Sequence, residues 1–259
     1  SAAMRDHGLG SMDSFAIMLR NHPEFIEGMA AASTLGAAFV PIDPRTRGLK
    51  LAYTLNNSES KGIICADYCI EQVMEVKDQV PGLEWVIVID GTGESDASPR
   101  MAEFQNCISM AEIMQGPAVS VDRVVEDPLH PLEIIYTSGT TGDPKGVSIA
   151  NARLAGGTMG GPGLQFIPGD KPYTGLSLTH GNAQSLTLFP AIGMDLPIVF
   201  SRKFTKSRLW DITRKYDCTV FNLLGGMTTA IYSEALKDND GDNPVRMVLS
   251  AGMPAVIWQ

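Results

Sequence analysis

The chain has 259 residues and a formal net charge of −9, from 20 basic and 29 acidic residues. Its hydrophobic share of 44% and charged share of 19% are values of a globular protein and exclude a disordered chain. The basic residues are scattered, which argues against a nucleic-acid partner. No apolar run approaches the roughly 18 residues of a membrane span. The length suits one large domain or two smaller ones.

The cysteines indicate a reduced, intracellular protein. None belongs to a C-x-x-C pair, and each lies within or beside an apolar segment, so we expect small buried hydrophobes and no disulfide framework. The first ten residues lack the charged-then-apolar pattern of a signal peptide. We therefore expect a cytoplasmic location. The four cysteines are Cys65, Cys69, Cys107 and Cys218.

Strand and helix signals alternate along the first half of the chain. Asn21-His22-Pro23 predicts a helix start, because proline is tolerated in the first turn, and Gly36 predicts its end. An irregular connection is expected over 116–131. Strands are predicted over 15–19, 38–42, 62–66 and 85–89, and helices over 49–55, 68–80 and 101–115.

The alternation continues in the second half and indicates an α/β fold with mostly parallel sheets flanked by helices. Strands are predicted over 132–136, 147–149, 173–178, 196–200, 218–222 and 247–250, and helices over 151–159, 183–192, 206–215 and 226–236.

One loop carries most of the chemistry. Between two predicted strands the chain reads Thr137-Ser138-Gly139-Thr140-Thr141-Gly142-Asp143-Pro144-Lys145. Glycines let backbone N–H groups approach an anion, hydroxyls donate further hydrogen bonds, and the lysine adds positive charge, a combination that suits a polyphosphate. A Walker loop is excluded because Lys145 follows proline and precedes Gly146. The alternative is an ordinary Gly/Thr surface turn.

The twelve residues 136–147 resemble the signature of the adenylate-forming superfamily, which includes acyl-CoA synthetases, luciferases and peptide-synthetase adenylation domains. Gly36-Ala37-Ala38-Phe39-Val40-Pro41 also resembles an early segment of that family. The resemblance implies the layered large N-terminal domain of the adenylate-forming fold. It also implies a two-step reaction in which a carboxylate attacks the α-phosphate of ATP and a thiol such as that of CoA then takes the acyl group.

The same resemblance assigns roles in the loop. The residues that would grip the β- and γ-phosphates are Thr137, Ser138, Gly139, Thr140, Thr141 and Gly142. Lys145 would be a catalytic cation near the phosphates; its alternative is a solvated loop lysine. Mg²⁺ is implied with ATP, but the family's ligand glutamate has no counterpart here, so we name no metal ligand in the chain.

The acyl and adenine sites are expected at strand ends further along. His180 and Asn182 would line the carboxylate site, although a lone histidine is often structural. Leu224-Gly225-Gly226 would meet the acyl chain, and its two glycines favour a bulkier or cyclic acid unless they form a plain turn. Ser250-Ala251-Gly252-Met253-Pro254 resembles the family's adenine turn, with a strand-terminating turn as the alternative. Because ligands collect at the carboxyl ends of strands, we expect these segments and the loop to converge on one crevice.

Segment 179–182 lacks the Phe-Asp-x-Ser of peptide-synthetase domains, so a ligase for plain carboxylic acids fits better. The segment 173–226 resembles bacterial acyl-CoA ligases of the carnitine–CoA ligase type. The alternatives are a non-catalytic nucleotide-binding module and an adenylation domain that loads a carrier protein. Relative to the family pattern we expect 1–259 to be a partial N-terminal domain, incomplete at both ends, with lobes 1–125 and 126–259. The mobile C-terminal domain and its lysine would be absent, and this piece alone inactive.

Overall fold

The computed structural model of the chain describes residues 1–91, 98–137 and 143–258. Its contacts divide it into two compact units, Ser1–Arg153 and Leu154–Gln259. Each unit has its own sheet. No helix in the described ranges is both long and apolar enough to cross a membrane.

The first unit is built on a sheet that, within the described residues, has seven strands in the order β5-β4-β3-β1-β2-β6-β7. Neighbouring strands run parallel except β6 and β7, which are antiparallel. The strands are β1 (Ser14–Met18), β2 (Ala38–Pro41), β3 (Ser60–Ala66), β4 (Trp85–Ile89), β5 (Cys107–Ser109), β6 (Pro131–Thr137) and β7 (Lys145–Ala150), and the helices are α1 (Ala2–Asp6), α2 (Pro23–Leu35), α3 (Gly48–Asn57), α4 (Ile70–Val76), α5 (Ser98–Met101) and α6 (Met110–Gln115).

Helices cover both faces of this sheet, because successive strand residues point to opposite sides. On one face α2 approaches β1 so closely that a Cβ added to Gly28 would lie 2.8 Å from Ile17 Cδ1. On the other face Ala16 and Met18 share a buried cluster with residues of α3 and α4. Burial on both sides explains why the strands are continuous apolar runs.

The boundaries predicted for α2 are confirmed. Pro23 occupies its first turn, and Gly36 ends it in the left-handed conformation with φ 68°. Glycine adopts that conformation without the steric cost that a Cβ would add. The helix therefore begins and ends where its sequence signals stand.

The predicted helix over 101–115 is wrong. Residues Cys107–Ser109 form β5 because they pair in parallel with the edge of β4, and only Met110–Gln115 is helical beyond them. The N-terminal cap of α6 is a capping box: Ser109 Oγ accepts from Ala111 N at 3.1 Å, and Glu112 Oε2 accepts from Ser109 N at 3.2 Å. The Ser-x-x-Glu spacing was the sequence signal for that helix start.

The predicted lobes, 1–125 and 126–259, do not coincide with the observed units. Strand β6 lies beyond residue 125 yet pairs with β2, Phe39 opposite Glu133, and β7 pairs with β6. Backbone hydrogen bonds therefore attach both strands to the first sheet. The division falls within α7 (Asn151–Met159).

The second unit contains, among its described residues, a four-stranded parallel sheet in the order β11-β10-β8-β9. Helical segments connect the strands, and one of them runs from α8 through a π-helical segment, Gln184–Leu188, into α9. The strands are β8 (Pro172–Thr174), β9 (Val199–Phe200), β10 (Val220–Leu224) and β11 (Met247–Ala251), and the helices are α8 (Gly181–Ala183), α9 (Phe189–Gly193), α10 (Leu209–Tyr216), α11 (Gly225–Tyr232) and α12 (Ala255–Trp258).

Strand β8 ends earlier than predicted. It stops at Thr174, whose Oγ1 accepts from Leu176 N at 3.1 Å, and this local turn takes 175–178 out of the sheet. Strand β10 lies two residues later than predicted and runs directly into α11. Because of these shifts, His180 follows a turn and not a strand, and Gly225 and Gly226 begin α11.

The burial of the cysteines agrees with the prediction that they are small hydrophobic side chains. Cys65, Cys69 and Cys218 are buried, Cys107 is half-buried, and all four are thiols. Burial raises the pKa of Cys69 to about 12 and that of Cys107 and Cys218 to about 11. These thiols are therefore protonated and poorly nucleophilic at neutral pH.

Candidate functional site

Strands β6 and β7 form a hairpin around the predicted phosphate loop. Thr137 pairs with Lys145 and Tyr136 with Gly146, which confirms that the loop joins strand to strand. Lys145 is the first residue of a strand, unlike the lysine of a Walker loop, which opens a helix. The remaining predicted phosphate ligands, Ser138, Gly139, Thr140, Thr141 and Gly142, lie outside the described residues.

Helix α3 holds both arms of this hairpin. Tyr136 Oη donates to Asn57 Oδ1 at 2.6 Å, and Tyr53 Oη donates to the Pro144 carbonyl at 3.1 Å. Gly146 makes the first contact feasible, because a Cβ there would lie 3.2 Å from Tyr136 Cζ. Burial, with the nearby Tyr53 hydroxyl, raises the pKa of Tyr136, so its hydroxyl remains a donor at neutral pH. The two ends of the loop are thus fixed to one helix.

Thr137 and Lys145 are exposed at the end of the hairpin. Within residues 1–91, 98–137 and 143–258, no hydrogen bond or ion pair of the Lys145 side chain is found. The exposure of Lys145 would let its ammonium group reach an added anion. The same exposure also suits a solvated lysine, and the phosphate role stays a prediction.

His180 is exposed and lies six residues beyond the end of β8, at the N-terminal cap of α8. The prediction that it directly ends a strand is therefore wrong, since the turn after Thr174 intervenes. Its backbone carbonyl accepts from Ala183 N at 3.0 Å. The imidazole thus belongs to the residue that caps the N-terminus of α8.

Asn182 is attached to β10 by a buried chain of polar side chains. Asn222 Nδ2 donates to Asn182 Oδ1 at 2.6 Å, and Thr187 Oγ1 donates to Asn222 Oδ1 at 3.0 Å. Asn222 and Thr187 are 1% and 2% exposed. The sequence analysis missed both. The available signal was an asparagine in the middle of an apolar strand, since a buried amide needs partners.

The predicted acyl and adenine turns meet at the carboxyl ends of β10 and β11. Leu224 is the register partner of Ala251, and a Cβ on Gly225 would lie 2.5 Å from the Gly252 carbonyl oxygen. Gly226, by contrast, has open space around its Cβ position. Gly225 therefore permits the backbone at the start of α11 to pack closely against Gly252, whereas the Cβ position of Gly226 is open. Met253 and Pro254 follow, half-buried, before α12.

Within the second unit, two of the predicted site segments lie at neighbouring strand ends, and their convergence with the phosphate loop on one crevice stays a prediction. The ends of β10 and β11 bring together Leu224, Gly225, Ala251 and Gly252. The hydrogen bond from Asn222 connects β10 to Asn182. No cluster of three or more His, Cys, Asp or Glu side chains that could hold a metal is found among the described residues.

Residues 1–257 match the family model described as AMP-binding enzyme. The chain belongs to the AMP-binding enzyme family. The resemblance read from 136–147 is therefore confirmed.

Curated relatives share the whole chain at low identity. Long-chain fatty acid transport protein 6 of Mus musculus is 22% identical over 259 residues, which are 100% of this chain and 41% of that protein. Medium/long-chain-fatty-acid–CoA ligase FadD6 of Mycobacterium tuberculosis is 25% identical, with 100% of this chain and 41% of the relative covered. The chain thus spans about two-fifths of the length of these relatives.

Solved structures confirm the fold class. The inhibitor-bound N-terminal domain of FACL13 from Mycobacterium tuberculosis superposes with a TM-score of 0.76 at 20% identity, covering 98% of this chain and 61% of that one. ATP-bound MatB from Rhodopseudomonas palustris gives 0.78 at 18% identity, covering 96% and 46%. The α/β architecture is that of the large N-terminal domain of adenylate-forming enzymes.

Proposed function

We propose that the full-length gene product is an AMP-forming acid–CoA ligase, which activates a carboxylic acid with ATP and transfers the acyl group to CoA. The observation that carries the proposal is the β6–β7 hairpin, whose ends are fixed to α3 and which presents an exposed threonine and lysine in a chain of the AMP-binding family. The ligase name of FadD6 supports the same reaction class. A cytoplasmic location would supply both ATP and CoA.

The first step joins two anions, so the site must screen charge and align the reacting atoms. A carboxylate oxygen attacks the α-phosphorus of ATP, and the bond to the bridging oxygen of pyrophosphate breaks. Lys145 would stabilise the charge that gathers on the leaving pyrophosphate. The loop groups proposed to bind the β- and γ-phosphates are Thr137, Ser138, Gly139, Thr140, Thr141 and Gly142.

The second unit would bind the other two moieties. His180 and Asn182 would contact the carboxylate, and Leu224, Gly225 and Gly226 would line the acyl site. In the second step the thiolate of CoA attacks the acyl carbon, the carbon–sulfur bond forms, and AMP leaves with the former carboxylate oxygen. The residues proposed to lie against adenine are Ala251, Gly252, Met253 and Pro254.

Mg²⁺ is proposed to accompany ATP, and the described residues contain no cluster of three or more His, Cys, Asp or Glu side chains. We assign no metal ligand within this chain, and Lys145 would add positive charge beside that of the metal ion.

The acid is proposed to be larger than acetate. Gly226 has no atom within 4 Å of its Cβ position, which leaves space beside the strand end. Gly226→Val would fill that space, so we expect it to raise the KM of long or cyclic acids and to leave the KM of short acids unchanged. Rates measured across a panel from acetate to long-chain acids test this. A wild-type preference for acetate would contradict it.

Lys145→Gln tests the reaction itself in the full-length gene product. Loss of a hydrogen bond to a charged group costs about 1.5–3 kcal/mol, so acid-dependent ATP–pyrophosphate exchange should fall by about 10- to 150-fold. Lys237→Gln, at another exposed lysine, is the matched control and should retain wild-type exchange.

Three other outcomes would separate the alternatives. ATP binding by calorimetry without exchange for any acid would indicate a non-catalytic nucleotide-binding module. Exchange with acyl transfer to a phosphopantetheinyl carrier protein, but not to CoA, would indicate a carrier-loading domain. Wild-type exchange by Lys145→Gln would refute the role of the lysine.

A further inference from the structure

A polar relay crosses the interior of the second unit and ends at a predicted substrate residue. It runs from Thr187 in the π-helical segment, through Asn222 in β10, to Asn182 in α8. The neighbours of Asn222 in the strand, Phe221 and Leu223, lie in the apolar cluster on the other face of the sheet. Asn222 is therefore the polar member of a buried strand that points away from that cluster.

The relay has a direction. The Thr187 hydroxyl donates to Asn222 Oδ1, which leaves Nδ2 of Asn222 to donate to Asn182 Oδ1. The bond to Oδ1 fixes the orientation of the Asn182 amide, so its Nδ2 group is on the side away from Asn222, and an amide nitrogen can donate but not accept. Asn182 is half-buried, whereas the two inner members are almost fully buried. The most exposed member of the relay is thus held with its donor group turned away from Asn222.

We propose that Thr187 and Asn222 are positioning residues that orient Asn182 so that its Nδ2 donates to the carboxylate of the acid. This inference rests on the proposed function. A donor at that place favours an anionic oxygen, and the Asn182 nitrogen cannot accept from an ammonium group, so the relay would favour plain carboxylic acids over amino acids. Specificity would then be set in part by a threonine that does not touch the substrate.

The decisive variants change the relay without touching Asn182. Thr187→Val keeps the shape of the side chain but removes the hydroxyl, so the Asn222 amide is free to turn and Asn182 loses its fixed orientation. We expect the KM of the acid to rise by about 2- to 12-fold, the range that one hydrogen bond sets, with the KM of ATP unchanged. Thr187→Ser restores the hydroxyl and should restore the KM.

Asn222→Asp provides a second, opposite change. A carboxylate at this position can only accept, so the Asn182 amide would turn its nitrogen inward and present its oxygen to the acid. The KM of the acid should rise by more than in Thr187→Val, because repulsion replaces attraction.

Thr213→Val is the matched control for stability. Thr213 is equally buried in the same unit, and its hydroxyl donates to the Trp210 carbonyl at 3.0 Å, outside the relay. Both threonine variants should lower the melting temperature, and only Thr187→Val should change the KM of the acid. Equal KM values for the two variants, or a rise in the KM of ATP that matches the rise for the acid, would overturn the relay.

Failure of the proposed function is distinguishable from failure of the relay. The first would appear as no exchange by wild-type protein with any acid. In that case octanoate titration, followed by the side-chain amide signal of Asn182 in ¹H–¹⁵N spectra, still decides the relay: the signal should shift in wild-type protein and in Thr187→Ser, but less in Thr187→Val. The same shift in all three, or none in the wild type, would refute it.

Discussion

The two adjacent glycines at the start of α11 should respond oppositely to the same substitution. At Gly225 a Cβ would lie 2.5 Å from the carbonyl oxygen of Gly252, and that oxygen is backbone, so the turn after β11 must move. At Gly226, apart from its chain neighbours and the backbone of its own helix, no atom of the described residues lies within 4 Å of the Cβ position. Neither glycine has a positive φ, so alanine can adopt both conformations. The difference between the two variants therefore isolates the contact with the turn.

The magnitude follows from two terms. Forcing an extra carbon into a packed contact costs about 1–3 kcal/mol. Alanine gains up to about 1 kcal/mol over glycine in a helix, and this gain applies to both positions. Because the helix gain cancels, Gly225→Ala should be less stable than Gly226→Ala by about 1–3 kcal/mol, a difference in melting temperature of about 2–12 °C. Gly226→Ala should be neutral or slightly stabilised.

The functional consequence follows from the role proposed for the turn. If Ala251–Pro254 binds adenine, displacing Gly252 should raise the KM of ATP in Gly225→Ala by about fivefold, which corresponds to about 1 kcal/mol. Thermal unfolding and ATP–pyrophosphate exchange of both variants are the assays. Equal melting temperatures for the two would refute the packing argument. A destabilised Gly225→Ala with a wild-type KM for ATP would refute only the adenine assignment.

Two further predictions concern stability. Gly62→Ala would place a Cβ 1.9 Å from Cε2 of the fully buried Trp85, so urea unfolding should show a loss of about 3 kcal/mol, whereas Gly82→Ala, with open space, should show almost none. Burial opposes ionisation of Asp170, but hydrogen bonds led by that from Arg246 outweigh it and lower its pKa from 3.8 to about 2. Because the pKa is lower in the folded than in the unfolded chain, the ionised carboxylate stabilises the folded state at pH values above the unfolded-state pKa. Asp170→Asn should therefore be less stable than the wild type by about 2 kcal/mol at pH 7. The difference should shrink as the pH falls from 4 to 2, and a difference that stays constant in acid titrations would contradict this.

The sequence identified the elements whose signals are local. Pro23 and Gly36 define the limits of α2 because proline and glycine act through their own backbone angles. The hairpin at 136–147 and the alternation of strand and helix are likewise encoded in short stretches. Errors occurred where pairing with a distant strand overrides local pattern: 107–109 become a strand because β4 offers an unpaired edge.

From the sequence alone followed the α/β class, the phosphate-loop hypothesis and the family. Only the tertiary structure decided which side chains hold the site. Tyr53 meets Pro144 across 91 residues, and Asn222 meets Asn182 across 40. The physical reason is that such contacts depend on strand register and helix packing, which the burial of many apolar side chains determines together. The spacing of residues along the chain therefore does not indicate which of these distant side chains come into contact.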